Sequence, residues 1–403
     1  MDLKSGELYW PRLAGERTEN FEPPDRDRQC DVAVIGGGVT GALSAYHLAR
    51  AGARVVVLDR RAIGGGSTSA STGLLQYEID TPLYRLIDLV GADHARRAYR
   101  RCVTCLDDFR LLVSQLDDDC ALTDRPSLYL GCDPGDTDEL RRERDERRAI
   151  GIDVELLVHD ELRRTLGMDR PAALWSRRAM EVDPYRLTIS LMRGATRAGA
   201  QVFADTTVKT YDADDGGVTL TTDRGPRVRA SRVVFATGYE TPEFLDKDIC
   251  RLRSTYAIVS QPLPQLDGAW PQRCLIWESG DPYFYARTAT DNRAMIGGED
   301  VDTADPRNRD ALIDQKARTL SEKFQALIPP LGPIEPEFRW AGTFAQTKDG
   351  LPYIGTTSQF PRGYFALGYG GNGITFSLIA AQIIRDLFTG RHNADADLFR
   401  FDR

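Results

Sequence analysis

The stretch from Cys30 to Asp59, CDVAVIGGGVTGALSAYHLARAGARVVVLD, constrains the fold more than any other part of the chain. Asp31 to Ile35 is a short apolar run of the kind that forms a buried strand. Gly36, Gly38 and Gly41 follow in G-x-G-x-x-G spacing. Ala42, Ala45, Leu48 and Ala49 recur at helical spacing, and Gly52 suits a C-terminal cap. Arg54 to Leu58 reads as a second buried strand, closed by Asp59. The pattern is a βαβ unit with its turn residues in place.

Each part has a physical task. Gly36 permits a tight turn, Gly38 lets the backbone approach a pyrophosphate, and Gly41 lets the helix pack on the strand. The helix opens at Val39 and Thr40, where free N–H groups and the positive dipole end suit phosphate. Asp59, followed by Arg60, lies about 20 residues on and can accept from a ribose hydroxyl. A lone glycine pattern is common in structural turns. Here strand, turn, helix, strand and acid agree, and they mark a dinucleotide site.

The 403 residues suffice for two packed regions with a sizeable core. A formal charge of −8 and a pI of about 5.3 argue against non-specific nucleic-acid binding. No apolar run approaches a membrane span, and Met1 to Arg17 is polar with no visible secretory signal. Seven cysteines, an odd count in a long chain, fit a reducing cytoplasm better than a disulfide framework. Cys102 and Cys105 fall in a long helical pattern and read as buried helix residues, not as zinc ligands or a redox pair.

Along the chain, residues 1–29 read as an extended lead-in. Gly64 to Gly73 is a loop of small polar residues, either flexible or lining a cofactor. Helices are predicted over 82–90, 94–116, 184–199 and 310–327, and 138–148 is a dense mixed-charge helix with a solvated face. Strands are predicted at 201–204, 207–211, 217–222 and 227–235, the last ending in Ala236-Thr237-Gly238. Residues 253–298 are strand-rich, and in PYFYAR Tyr283 and Tyr285 face one way and Phe284 the other. Further strands are expected at 337–344, 351–354 and 364–367.

A second glycine cluster, Gly368-Tyr369-Gly370-Gly371-Asn372-Gly373, precedes a helix from Ile374 to Leu387. No second strand with a ribose acid follows it, so a second nucleotide site is not expected. The cluster aims a helix N-terminus at an anion or at developing negative charge, such as a reduced flavin ring. A tight packed turn is the plainer alternative.

These stretches resemble the D-amino-acid oxidase-like family of FAD-dependent oxidoreductases, which includes glycine and sarcosine oxidases. DVAVIGGGVTG with VVVLD, GGGSTSASTGLL, VVFATG, and WAGTFAQTKDGLPYIG with ALGYGGNGIT carry the likeness. The resemblance implies that Ser67, Thr68, Ser69, Thr72, Gly73 and Leu74 line the flavin. It implies further that Val208 touches the adenine side and that Ala236, Thr237 and Gly238 touch the dinucleotide. Gly370, Gly371, Asn372, Gly373, Ile374 and Thr375 are placed by it at the isoalloxazine, and Gly342 among the cofactor-binding residues. In the glycine oxidases of that family an arginine two residues after the WAG glycine grips a substrate carboxylate, and here the place holds Phe344, which cannot form a bidentate fork. Sarcosine oxidases tether the flavin through a cysteine near Gly342, and no cysteine follows Cys274, so noncovalent FAD is expected.

Only four histidines are present, and none falls on the expected site face, which disfavours a histidine-based alcohol oxidation. Amine oxidation has no such need: an uncharged amine passes hydride from its α-carbon to flavin N5 and leaves an imine for water to hydrolyse. Tyr283 resembles a site tyrosine of the family, and Tyr285 projects on the same side. Arg287 either holds a carboxylate or forms a surface ion pair. Tyr256 and Trp277 either face the site or pack the sheet, and Lys348 either lies near the flavin edge or faces water.

The expected architecture is α/β. A discontinuous Rossmann-type FAD-binding domain (1–85, 182–245 and 335–403) joins a mixed or antiparallel-sheet α+β substrate domain (86–181 and 246–334). The expected activity is oxidation of the C–N bond of a small amine or amino acid, N-alkylated or not, with O2 or a redox partner as electron acceptor. Two alternatives stand beside it: dehydrogenation of a hydroxy acid or polyol phosphate, and a flavin-binding tRNA-modification or non-catalytic module.

Overall fold

The structure is a computed structural model that describes residues 2–15, 19, 21–246, 249–367 and 369–403. Two large sheets organise it. The eight-stranded sheet runs Tyr353–Gly355, Gly363–Leu367, Arg227–Phe235, Arg28–Ile35, Val55–Leu58 and Gln201–Phe203, with Gly217–Thr222 and Val208–Asp214 added beside Arg227–Phe235. Its central strands are parallel: Val32 to Ile35 pair with Val55 to Leu58 on one side and with Arg232 to Phe235 on the other.

A parallel sheet needs cover on both faces, and alternation along the strands supplies it. Val32, Val34, Val55 and Val57 pack into the cluster that holds the helices Val39–Arg50, Pro184–Arg197 and Gly373–Thr389. Ala33, Val56 and Leu58 point the other way, onto Val218, Leu220 and Phe235. The crevice beyond the carboxyl ends of these strands is where such sheets bind ligands.

The ten-stranded sheet runs Lys4–Gly6, Pro336–Gln346, Arg251–Ser260, Arg293–Val301, Phe284–Ala289, Leu275–Glu278, Thr123–Leu130, Ala172–Glu181 and Leu74–Gln76, with Val154–Val158 beside Ala172–Glu181. One face is dry: Tyr256, Ile258, Ile276, Phe284 and Ile296 pack with Ala317, Leu320 and Phe324 of the helix Ile313–Leu327. The other face meets the crevice of the first sheet. The strand Pro336–Gln346, expected with the FAD-binding part, hydrogen-bonds within this larger sheet.

Two expectations need correction. Residues 1–29 are not a bare lead-in. Lys4 to Gly6 pair with Gly342 to Trp340, and the helix Tyr9–Ala14 buries Trp10 to 1% exposure. An indole N–H carries a polar tip into an apolar site, and Trp10 Nε1 donates to the Ser71 carbonyl at 2.6 Å. The charged helix Asp136–Ala149 is not simply solvated either: Glu143 and Arg147 are buried and paired at 2.7 Å. The Glu143 carboxylate accepts from the N–H groups of Leu83 and Tyr84 at 2.9 and 3.0 Å, capping the helix Leu83–Val90 from outside.

Candidate active site

The two glycine clusters open into one cavity of about 870 Å³, near the upper end of the roughly 300–1,000 Å³ that cofactor pockets occupy. At one end is the turn after Arg28–Ile35. Gly36 has a φ of +108°, and a Cβ there would strike the Ala236 carbonyl. Gly41 lies against the carbonyl of Gly36 with no room for a side chain. The turn is therefore closed by contacts that only glycine permits. The helix Val39–Arg50 begins here without a cap from its own side chains. The Val39 N–H instead donates to Thr68 Oγ1 at 2.9 Å.

Asp59 ends the neighbouring strand and reaches back. Its carboxylate accepts from the Gly37 N–H at 2.5 Å and from the Arg61 N–H at 2.7 Å. Burial nonetheless holds its pKa above the usual carboxylate range. Ser67 Oγ, in the cavity wall, is buried without a hydrogen-bond partner. A buried hydroxyl left unpaired calls for a ligand. Arg60 and Arg61 both pair with Glu240 at this rim. Exposed helix amides, an acid at ribose distance along the chain and an orphaned hydroxyl fit the dinucleotide half of FAD.

At the other end lies the late glycine turn. Gly368 falls outside the described residues. Gly370 has a φ of +58°, the short turn Gly370–Asn372 follows, and the helix Gly373–Thr389 begins. Gly38 and Gly373 line the same cavity, so both helices direct their amide ends into it. Thr40 Oγ1 and Ser377 Oγ join the two helices at 2.8 Å. The Gly371 N–H donates to Asp80 Oδ2 at 2.7 Å. A side chain on Gly370 or on Gly371 would overlap the Asp80 carboxylate.

The third wall is the larger sheet. Tyr129, Trp277 and Tyr285 stand in register on three neighbouring strands. Tyr129 stacks on Trp277 at 3.8 Å, and Tyr283 and Tyr285 lie 5.6 Å apart. Phe284 turns into the dry core, as the alternation requires. Gly297, opposite Tyr285, leaves room for its ring; a Cβ at that position would collide with it.

Two carboxyl groups stand among these rings. Asp80 opens to the cavity but is otherwise enclosed by protein, and this desolvation raises its pKa. Burial pushes Asp300 up to about 6, against the opposing effects of Thr255 and Arg253. Its Oδ1 has no hydrogen-bond partner.

Most candidates named from the sequence line this cavity. The end at the early glycine turn holds Gly36, Gly38, Val39, Thr40, Asp59, Arg60, Ser67 and Thr68, and the middle holds Thr72, Gly73, Leu74, Val208 and Ala236 to Gly238. Tyr283, Tyr285, Gly342 and Phe344 line it with Gly370, Gly371, Asn372, Gly373 and Ile374. Others lie off it. Ser69 Oγ bonds the Gly66 carbonyl, Thr375 Oγ1 bonds the Gln76 carbonyl at 3.1 Å, and Gly41 serves packing beneath the turn. Tyr256 faces the dry core, where its hydroxyl donates to the Arg309 carbonyl at 3.1 Å.

Arg287 is not a carboxylate holder in this structure. Its Nη1 donates to the carbonyls of Thr72, Gly73 and Val182, and its Nε to that of Thr288. With these donors used internally, it braces the loop that forms the cavity floor. Lys348 is exposed, lies off the cavity, and has Nζ 3.4 Å from the Arg403 carbonyl. A lysine in water gains nothing by turning inward.

Sequence reasoning missed Asp80, Asp300, Tyr129 and Arg253. Asp80, in Asp80-Thr81-Pro82 before a helix, looks like ordinary cap chemistry. Arg253 lies in Arg251-Leu252-Arg253 and reads as the polar side of an exposed strand. The register of Phe344 would have pointed to Arg253, but only once the strand pairing was known.

Comparison with known proteins agrees with this geometry. The profile of the DAO family, described as FAD dependent oxidoreductase, matches residues 31–387. Glycine oxidase of Bacillus licheniformis is 28% identical over 371 residues, covering 90% of this chain and 94% of its own. Gamma-glutamylputrescine oxidoreductase of Escherichia coli (strain K12) is 26% identical over 391 residues, covering 95% and 87%. In fold, the crystal structure of glycine oxidase from Geobacillus kaustophilus superposes with a TM-score of 0.76 at 24% identity, covering 91% and 96%. The L-amino acid deaminase from Proteus vulgaris gives 0.79 at 17% identity, covering 96% and 100%.

Proposed function

The chain belongs to the FAD dependent oxidoreductase family, and from that premise we propose that it oxidises the C–N bond of a small amine or amino acid. The relatives named above act on compounds of that class. The observation that carries the reading is the Asp80 carboxylate, held on the Gly371 N–H inside an aromatic chamber continuous with the dinucleotide cradle.

Gly38, Val39, Ser67 and Thr68 would hold the diphosphate, Asp59 the ribose, and Gly370 to Ile374 the ring. FAD, when bound, supplies the hydride acceptor. An ammonium ion has no lone pair to assist departure of the neighbouring hydride, so the amine must first lose its proton. Asp80, with its pKa raised by burial, is suited to receive that proton at its carboxylate oxygen. Tyr283, Tyr285, Trp277 and Tyr129 form an apolar wall that places the substrate carbon and excludes water until the imine leaves for hydrolysis. Among the described residues, those lining the cavity include neither cysteine nor histidine, and FAD held without a covalent bond is the reading adopted.

The test is anaerobic bleaching of the flavin by a panel of amines, amino acids, N-alkyl amino acids and hydroxy acids, with released ammonia or alkylamine assayed. Bleaching by nitrogen compounds with amine release supports the reading. Bleaching by hydroxy acids alone overturns it.

A further inference from the structure

Arg253 has no ion pair and no side-chain hydrogen bond among the described residues. Its guanidinium lines the cavity, and its Nε is buried without an acceptor. The other arginines named so far have partners, although Arg147 keeps a buried Nη2 without one. Arg287 binds carbonyls, Arg147 binds Glu143, and Arg60 and Arg61 bind Glu240. A buried guanidinium nitrogen left without an acceptor is costly unless a ligand completes it.

The position of Arg253 limits what that ligand is. Arg253 stands directly opposite Phe344 in the antiparallel pairing of Arg251–Ser260 with Pro336–Gln346, and both side chains reach the cavity. Two residues on, Thr255 pairs with Gly342, which also lines the cavity. The dinucleotide cradle is built from other elements, the turn at Gly36 and the loop at Ser67, so Arg253 is free to serve the substrate chamber. Asp300 feels the Arg253 charge but forms no ion pair or hydrogen bond with it. Burial disfavours the charged form of that carboxyl group and so weakens it as an internal partner.

We propose that Arg253 is the residue that binds a carboxylate of the substrate, so that the preferred substrate is an amino acid and not a simple amine. The inference deepens the amine-oxidation reading and rests on it for the identity of the reacting group. A planar guanidinium fork matches a carboxylate in two parallel hydrogen bonds. The phenyl ring of Phe344, one strand away, offers an apolar flank that dries this contact. With the carboxylate on Arg253 and the amine on Asp80, the two charged ends of one zwitterion face opposite charges.

Benzoate, an unreactive carboxylate, is the probe. It is titrated into the FAD-loaded protein while the visible flavin spectrum is followed, with benzamide as the uncharged control. Wild type should show a saturable shift with benzoate. Arg253→Met should weaken benzoate at least tenfold and leave benzamide within twofold; Arg253→Lys, keeping charge without the fork, should fall between. Should Arg253→Met fail to retain flavin, Arg253→Lys and Arg253→Gln carry the comparison. Unchanged benzoate affinity in a flavin-loaded variant overturns the proposal, as does a wild type that binds no benzoate. The two readings fail separately: amine bleaching with Arg253-independent benzoate binding removes only this inference. Arg253-dependent binding without amine bleaching removes only the amine chemistry.

Discussion

Thr40 and Ser377 lie 337 positions apart, yet their hydroxyl oxygens meet at 2.8 Å. One sits in the first turn of the early helix and the other in the first turns of the late helix, and the bond aligns both amide ends on one cavity. Thr40→Val and Ser377→Ala should each cost about 1 kcal/mol, the net worth of a buried hydrogen bond. Ser377 also donates to the Gly373 carbonyl, so its loss should be the larger. In a double-mutant cycle the two should couple by at least ~0.5 kcal/mol in urea unfolding. Strict additivity would show that the bond does not join the helices energetically.

Glycines 38 and 41 should fail in different ways. A Cβ at Gly38 meets only Thr68 Oγ1 at 3.0 Å, the tip of a side chain. Gly38→Val should therefore fold but lose its flavin, seen as colourless protein with an intact far-ultraviolet spectrum. A Cβ at Gly41 meets the backbone of Gly36. Gly41→Ala should cost about 2 kcal/mol or more before any ligand is considered. A yellow, fully loaded Gly38→Val protein would remove the diphosphate assignment.

Arg287 should be a stability residue, not a substrate residue. Arg287→Met leaves the carbonyls of Thr72, Gly73 and Val182 without their shared donor, and leaves Glu181, whose Oε2 lies 3.6 Å from Arg287 Nε, with Arg125 as its remaining cation. The expected loss is about 3 kcal/mol in chemical unfolding. The flavin-loaded fraction should keep its KM for any amine that proves active. A large KM change with little loss of stability would return Arg287 to the site.

Asp300 should leave a pH signature. Its pKa in the folded protein is about 6, against about 3.9 in an unfolded chain. Between those values the folded state binds more protons, so this group's contribution is complete below about pH 4 and is lost as pH rises through 6. Asp300→Asn should remove that slope. The variant should gain on wild type between pH 4 and 7, by about 3 kcal/mol at the upper end. A flat difference curve from urea titrations would show that Asp300 is not desolvated in solution.

Acid precipitation should release free FAD into the supernatant. Gly342 lines the cavity, and the ring-side residues Gly370 to Ile374 carry no thiol. Yellow colour retained in the pellet would point to a covalent bond.

The early βαβ unit was legible in the sequence because a buried parallel strand, a glycine turn and an amphipathic helix each follow local rules. The alternation at Tyr283, Phe284 and Tyr285 was legible for the same reason, since strand period alone decides it. Arg287 was misread because its spacing from Tyr285 says which face it occupies but not how long its side chain runs. It passes beneath the cavity to reach three carbonyls. Glu143 and Arg147 were misread because mixed charge at helical spacing normally faces water. Here that face meets the start of another helix, a long-range contact with no local signature. Arg253 and Asp80 depend on strand register and on a turn almost three hundred residues away, which no window along the chain contains.

The first residues of the chain are wedded to its last third: Ser5 hydrogen-bonds in register with Ala341, while Trp10 and Trp340 grip the adjacent carbonyls of Ser71 and Ala70. During synthesis the first strand therefore waits without its sheet partner until more than three hundred further residues have left the ribosome. Completion of the outer strand and capture of the Ala70 carbonyl by Trp340 become a single late event, and a nascent chain stalled before residue 336 has no sheet edge on which to lay its first strand.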